Sequence, residues 1–163
     1  MGDPKKQRKK FSKPSHPWQK ERITAEREIL EQYGLKRKYE IWKMGSTLKK
    51  FLHRAKTIIG ERTSQSELEK RQLLDRLYVL GLLKKDSKVE DVLNLTLRNI
   101  LERRLQTLVY RKNIAKTILQ SRQFITHEHI VVGARKITTP SYLVSIEEEP
   151  NIKLINEKKV QLS

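Results

Sequence analysis

Apolar residues recur at helical spacing from Glu21 to Gly60. Between Glu21 and Tyr33 they follow a period near 3.6 residues, and Gly34 comes next as a residue that tolerates the positive φ of a helix C-terminus. A longer amphipathic stretch follows, and Gly60 stands where it would end. Its apolar stripe comprises Ile41, Leu48, Leu52, Ala55, Ile58 and Ile59, and its basic residues are Lys43, Lys49, Lys50, Arg54 and Lys56. The pattern predicts two helices, whose basic positions either face solvent or contact phosphates.

Two serine–glutamate pairs predict the beginnings of further helices. Ser66 with Glu69, and Ser87 with Glu90, fit the capping box, in which each side chain bonds to the other residue's free backbone N–H. Leucines repeat on one face after the first pair, Gly81 follows them, and apolar residues continue at helical spacing after the second pair. We therefore expect residues 23–101 to form a helical region.

The pattern changes after His129, where short runs rich in β-branched residues replace the helical spacing. Residues 130–132 and 137–139 flank a turn and predict a hairpin, and residues 142–146 offer a third strand. Two helices followed by this small β-sheet are expected between residues 102 and 146. The predicted fold class is therefore α+β, with a mostly helical N-terminal region before the sheet.

Composition limits the size of the core and the chemistry available. Only 36% of the residues are hydrophobic, below the roughly 45 to 50% of an average globular chain, so the apolar residues must be concentrated into small cores. The chain has no cysteine, which excludes disulfides, thiolate metal sites and cysteine nucleophiles and is compatible with a cytoplasmic protein. No long apolar run occurs and the N-terminus is basic, so we expect neither a membrane span nor export.

The net charge predicts a polyanionic partner. Lysine and arginine number 36 against 19 acidic residues, which gives a formal net charge of +17. The excess is spread over residues 1–22, 23–101 and 102–146, and only the last segment is slightly acidic. So much like charge would repel itself in isolation, and nucleic acid is the leading partner to neutralise it. Binding through many of these side chains should weaken steeply as salt rises.

The sequence gives no support for catalysis or for a bound metal. His127 and His129 are the only clustered histidines, and residues at i and i+2 project about 200° apart on a helix, unlike the i, i+4 pair of a helical metal site. There is no nucleophile elbow and no glycine-rich phosphate loop. We therefore predict a protein that is not an enzyme, without cofactor, metal or small-molecule substrate.

Residues 1–22 form a basic arm with three prolines and few apolar groups. Such a composition cannot offset its ordering entropy alone, so the arm is expected to become ordered only on a partner. Its aromatic residues, Trp18 among them, suit stacking on bases and sugars. The candidate RNA contacts of the arm are Lys5, Lys6, Arg8, Lys9, Lys10 and Trp18. The alternative is a mobile solubilising tail.

The densest mixture of basic and apolar residues runs from Arg103 to His129. Its spacing predicts two helices with a packed side and a basic side. A rigid basic platform of this kind can follow RNA phosphates and ribose hydroxyls, and so recognise the shape of a folded RNA. The alternative is an ordinary surface with solvated arginines.

Three stretches of the chain resemble a known family. The run RRLQTLVYRKNIAKTILQSRQFITHEHIVV, residues 103–132, resembles the RNA-binding S-four domain, named after ribosomal protein S-four of the small subunit. The stretches GDPKKQRKKFSKPSHPW, residues 2–18, and YGLKRKYEIWK, residues 33–43, resemble the archaeal and eukaryotic branch of that ribosomal family. The resemblance implies a primary binder of small-subunit ribosomal RNA in the cytoplasmic ribosome. It also implies roles in nucleating assembly of the subunit body and, through neighbouring ribosomal proteins, in translational accuracy.

Residues that match the domain motif are the candidate RNA-facing surface. They are Arg103, Arg104, Arg111, Lys112, Lys116, Arg122, Gln123, His127 and His129. We expect Arg104→Ala and Arg111→Ala to weaken RNA binding without unfolding the domain. The chain departs from the motif at Asn113, where the family often has Gly, although Asn also tolerates a left-handed turn. It departs again at Glu128, which places a negative charge between the two histidines.

Together these features predict four segments. They are a basic RNA-docking arm (1–22), a helical region (23–101), an S-four-like RNA-binding domain (102–146) and a C-terminal tail (147–163). Three alternatives remain open from sequence: a biogenesis protein that binds precursor ribosomal RNA, an RNA-modifying enzyme with the same domain, and a basic protein that adsorbs to anionic membranes. An enzyme would need a catalytic domain, for which the four segments leave no room.

Overall fold

The computed structural model describes residues 2, 9–61 and 63–155, and within them seven α-helices precede a three-stranded sheet. The first five helices are α1 (Lys20–Gln32), α2 (Lys38–Gly60), α3 (Ser64–Val79), α4 (Val89–Leu93) and α5 (Leu97–Glu102). They are followed by α6 (Leu105–Arg111), α7 (Ile118–Thr126), β1 (Ile130–Val132), β2 (Arg135–Lys136), a 3-10 turn (Glu149–Asn151) and β3 (Ile152–Leu154). The predicted α+β class, with a helical N-terminal region and two helices before a small sheet, is confirmed.

Gly34 ends the first helical segment in the way the sequence predicts. Its φ is +56°, and an added Cβ would lie only 2.7 Å from Cγ2 of Ile118 on α7. Glycine is therefore required here for two reasons. A residue with a side chain would be strained at this φ, and its Cβ would also collide with α7. This tight approach brings the end of α1 against α7.

Both predicted capping boxes begin at the wrong residue. The N-cap of α3 is Thr63, whose Oγ1 accepts from the backbone N–H of Ser66 at 3.2 Å while the Ser66 hydroxyl accepts from Thr63 at 3.2 Å. Ser66 is thus the fourth residue of the motif rather than the first. At α4 the N-cap is Lys88, and its backbone N–H donates to Asp91 at 2.8 Å. At α3 the N-cap side chain accepts from the helix, whereas at α4 only the acidic residue three positions later accepts, from the N-cap N–H.

The sheet is antiparallel, with strand order β2-β1-β3. The predicted hairpin forms, although its second strand is Arg135–Lys136 rather than residues 137–139. The predicted third strand at residues 142–146 is wrong, because that segment makes only an isolated bridge between Leu143 and Arg104. Residues 130–132 pair instead with Ile152–Leu154.

A turn after residue 144 explains this difference. The backbone N–H of Ser145 donates to a Glu148 carboxylate oxygen at 3.1 Å, and the N–H of Glu148 donates to the Ser145 hydroxyl at 3.3 Å. These reciprocal bonds turn the chain away from an extended path and return it to β1. The predicted boundary at residue 146 therefore divides the sheet, because β3 comes from the segment that was predicted as a tail.

Three apolar clusters hold the helices and the sheet together. One joins α2, α3 and α4, and includes Phe51 and Leu77. A second packs α1, α2 and α5 together, and includes Tyr33, Ile41 and Ile100. The third lies between α6, α7 and the sheet; its buried residues are Leu105, Leu108, Val109, Ala115, Phe124, Ile125, Ile130, Val132, Val144 and Ile152. Small separate clusters agree with the low hydrophobic fraction.

Part of the basic arm contacts the chain's own α2. The ring of Phe11 lies 6.3 Å from that of Tyr39 and 6.2 Å from that of Trp42, measured between centroids. The backbone N–H of Ser12 donates to the Ser46 hydroxyl at 3.1 Å. This part of the arm therefore packs on α2 of the same chain, and the expectation that the arm becomes ordered on a partner stays a prediction. Within the described residues, no helix has the length and apolar character needed to cross a bilayer.

Candidate nucleic-acid interface

Arg104, a predicted RNA contact, is buried inside the protein. Only 1% of the residue is exposed, and its Nη2 donates to the Glu40 carboxylate at 2.7 Å. The prediction that it faces RNA is wrong, because the cap of α6 places its side chain under the first turn of α2. For the same reason Arg104→Ala is expected to destabilise the fold rather than leave it intact.

Glu40 connects α2 to α6 and α7. It accepts hydrogen bonds from Arg104 and also from Arg122 on α7, whose Nη2 lies 3.1 Å from Oε1. Burial alone would raise the pKa of Glu40, but the hydrogen bonds from Arg122 and Arg104 outweigh it and hold the pKa below its usual value. Arg122 is thereby a structural residue in this conformation, with its side chain 23% exposed.

Sequence reasoning missed Glu40 for a physical reason. Its two partners lie 64 and 82 residues further along the chain, so local spacing carries no signal of the pairing. Glu40 falls within the stretch that resembles the ribosomal family, but its acidic side chain is the opposite of what a search for phosphate contacts seeks.

Arg103 and Lys112 both bond to Glu149. Arg103 Nη1 lies 2.7 Å from a Glu149 carboxylate oxygen, and its Nη2 donates to the Val144 carbonyl at 3.1 Å. Lys112 Nζ donates to the Glu149 backbone carbonyl. The Arg103 side chain is 14% exposed, so it mainly fixes residues 144–149 against α6. The Glu149 carboxylate therefore neutralises the charge of Arg103, whereas Lys112 bonds only to a neutral carbonyl and keeps its charge available.

A groove of about 440 Å³ opens beside these pairs, between α5, α6 and the 3-10 turn. Arg103, Arg111 and Lys112 lie along it, together with Glu102 and Glu149. Arg111 is half exposed and lies 2.8 Å from the Glu102 carboxylate, an exposed ion pair that contributes little to stability and can open toward another anion. The groove therefore brings three predicted contacts together, of which Arg111 is the most accessible.

A second group of predicted contacts is exposed around α7. Lys116 precedes the helix, Gln123 lies on it, and His127 caps its C-terminus, one turn beyond Gln123. His129 is half-buried, with its ring 6.1 Å edge-on from that of Phe124. Lys116, Gln123 and His127 are free to meet a large polar partner without disturbing the core.

The two histidines come close together once the helix ends. Glu128 has a φ of +63°, which turns the chain so that the His127 and His129 rings lie 6.5 Å apart. On a helix the two side chains would project in nearly opposite directions. His127 is the C-cap of α7 and His129 lies outside the helix, so this restriction does not hold for them. Asn113 also adopts positive φ, +57°, which confirms that it supports a left-handed turn between α6 and α7.

The described part of the arm presents an exposed tryptophan. Trp18 is 90% exposed, and Arg22 holds the backbone before it by donating to the carbonyls of His16 and Pro17, each at 2.8 Å. Lys9 and Lys10 are exposed. The predicted contacts Lys5, Lys6 and Arg8 lie outside the described residues.

Sequence comparisons with known proteins identify related proteins. Residues 103–149 match the family model described as S4 domain. The chain is 47% identical over 149 residues to "Small ribosomal subunit protein uS4" of Ignicoccus hospitalis, an alignment that covers 91% of this chain and 90% of the relative. It is 48% identical over 150 residues to the protein of the same name from Saccharolobus solfataricus, covering 91% and 83% of the two chains. The chain belongs to the uS4 family.

Membership of the uS4 family confirms the resemblance and the predicted class of a structural ribosomal protein that is not an enzyme. The S4 domain match extends to residue 149, and so includes the Glu149 that pairs with Arg103. In the structure, the same folded unit continues through β3 to Leu154.

This uS4-family chain also has an exposed basic face on α2, outside its S4 domain. Lys49, Lys50, His53, Arg54 and Lys56 are all exposed, while Phe51, Ala55 and Ile58 on the opposite face are buried. The helix has 23 residues and is therefore about 34 Å long, at about 1.5 Å per residue. The structure leaves these side chains in solvent.

Proposed function

We propose that this chain is a structural component of the small ribosomal subunit that binds small-subunit ribosomal RNA directly. In this role it acts in the cytoplasmic ribosome, helps to nucleate assembly of the subunit body, and contributes to translational accuracy through neighbouring ribosomal proteins. Its partners are that RNA and those proteins, with no small-molecule substrate. Support comes from membership of a family whose members are named as small ribosomal subunit proteins.

One structural observation carries the proposed mode of binding. Exposed Lys116, Gln123 and His127 are presented from α7, and α7 is fixed to the helical region by the bonds from Arg122 to Glu40. A rigid scaffold presents its donors at fixed separations, which suits recognition of a folded RNA by shape and by its phosphates and 2′-hydroxyls. Arg111 extends the surface along the neighbouring groove.

The division of the basic residues supports this assignment. Arg103, Arg104 and Arg122 satisfy carboxylates within the protein, whereas many other cations have no such internal role and stay in solvent. A net charge of +17 that is largely solvated favours a polyanion through release of its counterions. We therefore assign the exposed set to RNA, while the three paired arginines also stabilise the fold.

A salt-resolved binding titration tests the proposal. The purified full chain is titrated with folded small-subunit ribosomal RNA, with an unrelated structured RNA of equal length as competitor. We expect a preference for the ribosomal RNA that persists at physiological salt. Equal affinity for both RNAs, with the same steep salt slope, would show that charge alone is binding and would overturn the proposal.

A matched pair of variants tests the surface. Lys116→Ala with Gln123→Ala should weaken specific binding about tenfold and make the salt slope shallower by about 1. Lys70→Ala with Gln72→Ala removes the same two residue types from the exposed side of α3 and should change affinity less than twofold. An equal loss in both double variants would contradict the assignment to α7.

A further inference from the structure

A small pocket lies between the first half of α2 and the turn at residues 139–141. Its volume is about 220 Å³, and the residues with polar side chains that line it are Tyr39, Glu40, Lys43, Arg104, Arg122, Thr139 and Ser141. A water molecule occupies about 30 Å³ of the liquid, so the pocket has room for a tetrahedral oxyanion. Arg104 and Arg122 were predicted to contact RNA, but the family match assigns no ligand to the pocket itself.

The charges around the pocket do not balance. Three cations line it, against the single carboxylate of Glu40, which already accepts from both guanidinium groups. Lys43 is exposed on α2, and no described carboxylate lies within ion-pair distance of its Nζ. The pocket therefore has a surplus of positive charge, part of it on a residue that is 99% buried.

Arg104 also has hydrogen-bond donors to spare. Within the described part of the chain, its Nε and Nη1 are buried and have no hydrogen-bond partner. Buried polar groups in native proteins are nearly always paired, with protein, ordered water or a bound ion. The hydroxyls of Thr139 and Ser141 add two further donors to the lining of the same pocket.

We propose that this pocket binds a phosphate group. Lys43 supplies a mobile cation, Arg104 and Arg122 supply buried guanidinium charge, and the two hydroxyls donate to the remaining oxygens. A dianionic or monoanionic phosphate offsets the surplus charge of the pocket, and the hydroxyls and the ammonium group that line the pocket donate to its oxygens. Backbone phosphate of bound RNA and free inorganic phosphate share this chemistry, and the choice of RNA as the source rests on the proposed function.

Calorimetric titration of the full chain with inorganic phosphate tests the pocket. Sodium chloride at matched ionic strength serves as the reference titrant. Lys43→Ala is the informative variant, because Lys43 is exposed and its loss leaves the buried Glu40 pairs in place. We expect saturable phosphate binding that weakens about tenfold in Lys43→Ala and stays within twofold in Lys70→Ala. Absence of saturable binding, or equal weakening in the two variants, would overturn the proposal.

A second arm distinguishes the two sources of phosphate. If RNA backbone fills the pocket, the preformed RNA complex does not bind inorganic phosphate, and Lys43→Ala loses several-fold more RNA affinity than Lys70→Ala. If free phosphate is the ligand, the RNA complex binds it as tightly as the free chain does. Both results support a phosphate site, since both require an occupied pocket.

The same experiments separate this proposal from the proposed function. Preference for ribosomal RNA without saturable phosphate binding in the free chain would overturn the pocket and leave the function standing. Saturable phosphate binding without any preference for ribosomal RNA would overturn the proposed function and leave the phosphate pocket standing.

Discussion

Replacing Glu40 should destabilise the protein far more than replacing a glutamate in a surface ion pair. Glu40→Gln leaves Arg104, which is 1% exposed, with a neutral amide in place of a carboxylate, and deprives Arg122 of the same charge. Removing one partner of a buried ion pair costs about 3 to 5 kcal/mol, because the other charge is left uncompensated. The amide of glutamine keeps one acceptor, so we expect a loss of about 2 to 3 kcal/mol.

Urea unfolding of the full chain, followed by far-ultraviolet circular dichroism at pH 7, measures this effect. Glu31→Gln is the matched control, because Glu31 also pairs with an arginine on a helix, at 3.9 Å, but the two side chains are 75% and 80% exposed. A pair of this kind contributes about 0.3 to 0.5 kcal/mol. If Glu40→Gln and Glu31→Gln change the free energy of unfolding by the same amount, Glu40 is not a structural connection between the two parts of the protein.

Acid should abolish the difference between wild type and Glu40→Gln. The pKa of Glu40 is lowered in the folded protein, so its charge stabilises the fold at any pH above the unfolded value of about 4.3. That stability is lost as the pH falls through the folded pKa, where the carboxyl gains a proton. The two unfolding free energies should therefore differ most near pH 7 and converge below pH 4. A difference that does not change with pH would mean that the carboxylate charge is not responsible.

Three further outcomes follow from the structure. Gly81→Ala should lower the unfolding free energy by about 1 to 3 kcal/mol in urea melts, because φ is +69° and the new Cβ would lie 2.8 Å from Cζ of Arg103. Gly45→Ala should instead stabilise by about 0.5 to 1 kcal/mol, since it lies inside α2 with no heavy atom within 4 Å of an added Cβ; an unchanged or lower midpoint would count against this. Trp18→Ala should weaken RNA binding at constant salt by about fivefold with no change in unfolding free energy, and undiminished affinity would remove Trp18 from the interface.

Local signals in the sequence predicted the helices and the hairpin well. The helix before Gly34 and the two helices around Asn113 rest on residue spacing and on turn residues that tolerate positive φ, and both features act over a few residues. The hairpin after His129 was likewise visible in its β-branched runs. Helix starts were less secure, because Thr63 and Ser66 both lie where an N-cap could form.

Long-range pairing could not be predicted from these signals. The segment at residues 142–146 has the composition of a strand, yet the Ser145–Glu148 bonds turn it, and Ile152 and Leu154 pair with β1 instead. In a sheet of two- and three-residue strands, β propensity contributes less than the contacts that the turns permit.

Long-range pairing also decides which of the predicted RNA contacts are exposed. An arginine in a basic motif has the same sequence appearance whether it contacts a phosphate or a buried carboxylate. Arg104 and Arg122 face Glu40 because folding brings α2 against α6 and α7, whereas Lys116 and Gln123 stay exposed beside them. Only the three-dimensional arrangement separates the residues that support the fold from those available to a partner.

The sheet order β2-β1-β3 also determines when the domain can be completed during synthesis. The central strand, Ile130–Val132, is translated before its second neighbour, Ile152–Leu154, so one side of it stays unpaired until the later segment has emerged. An unpaired edge of this apolar strand is a template for pairing with another nascent chain. β3 follows β1 closely in sequence, and the Ser145–Glu148 turn directs it back toward β1. The interval in which a newly made chain carries this risk is therefore short.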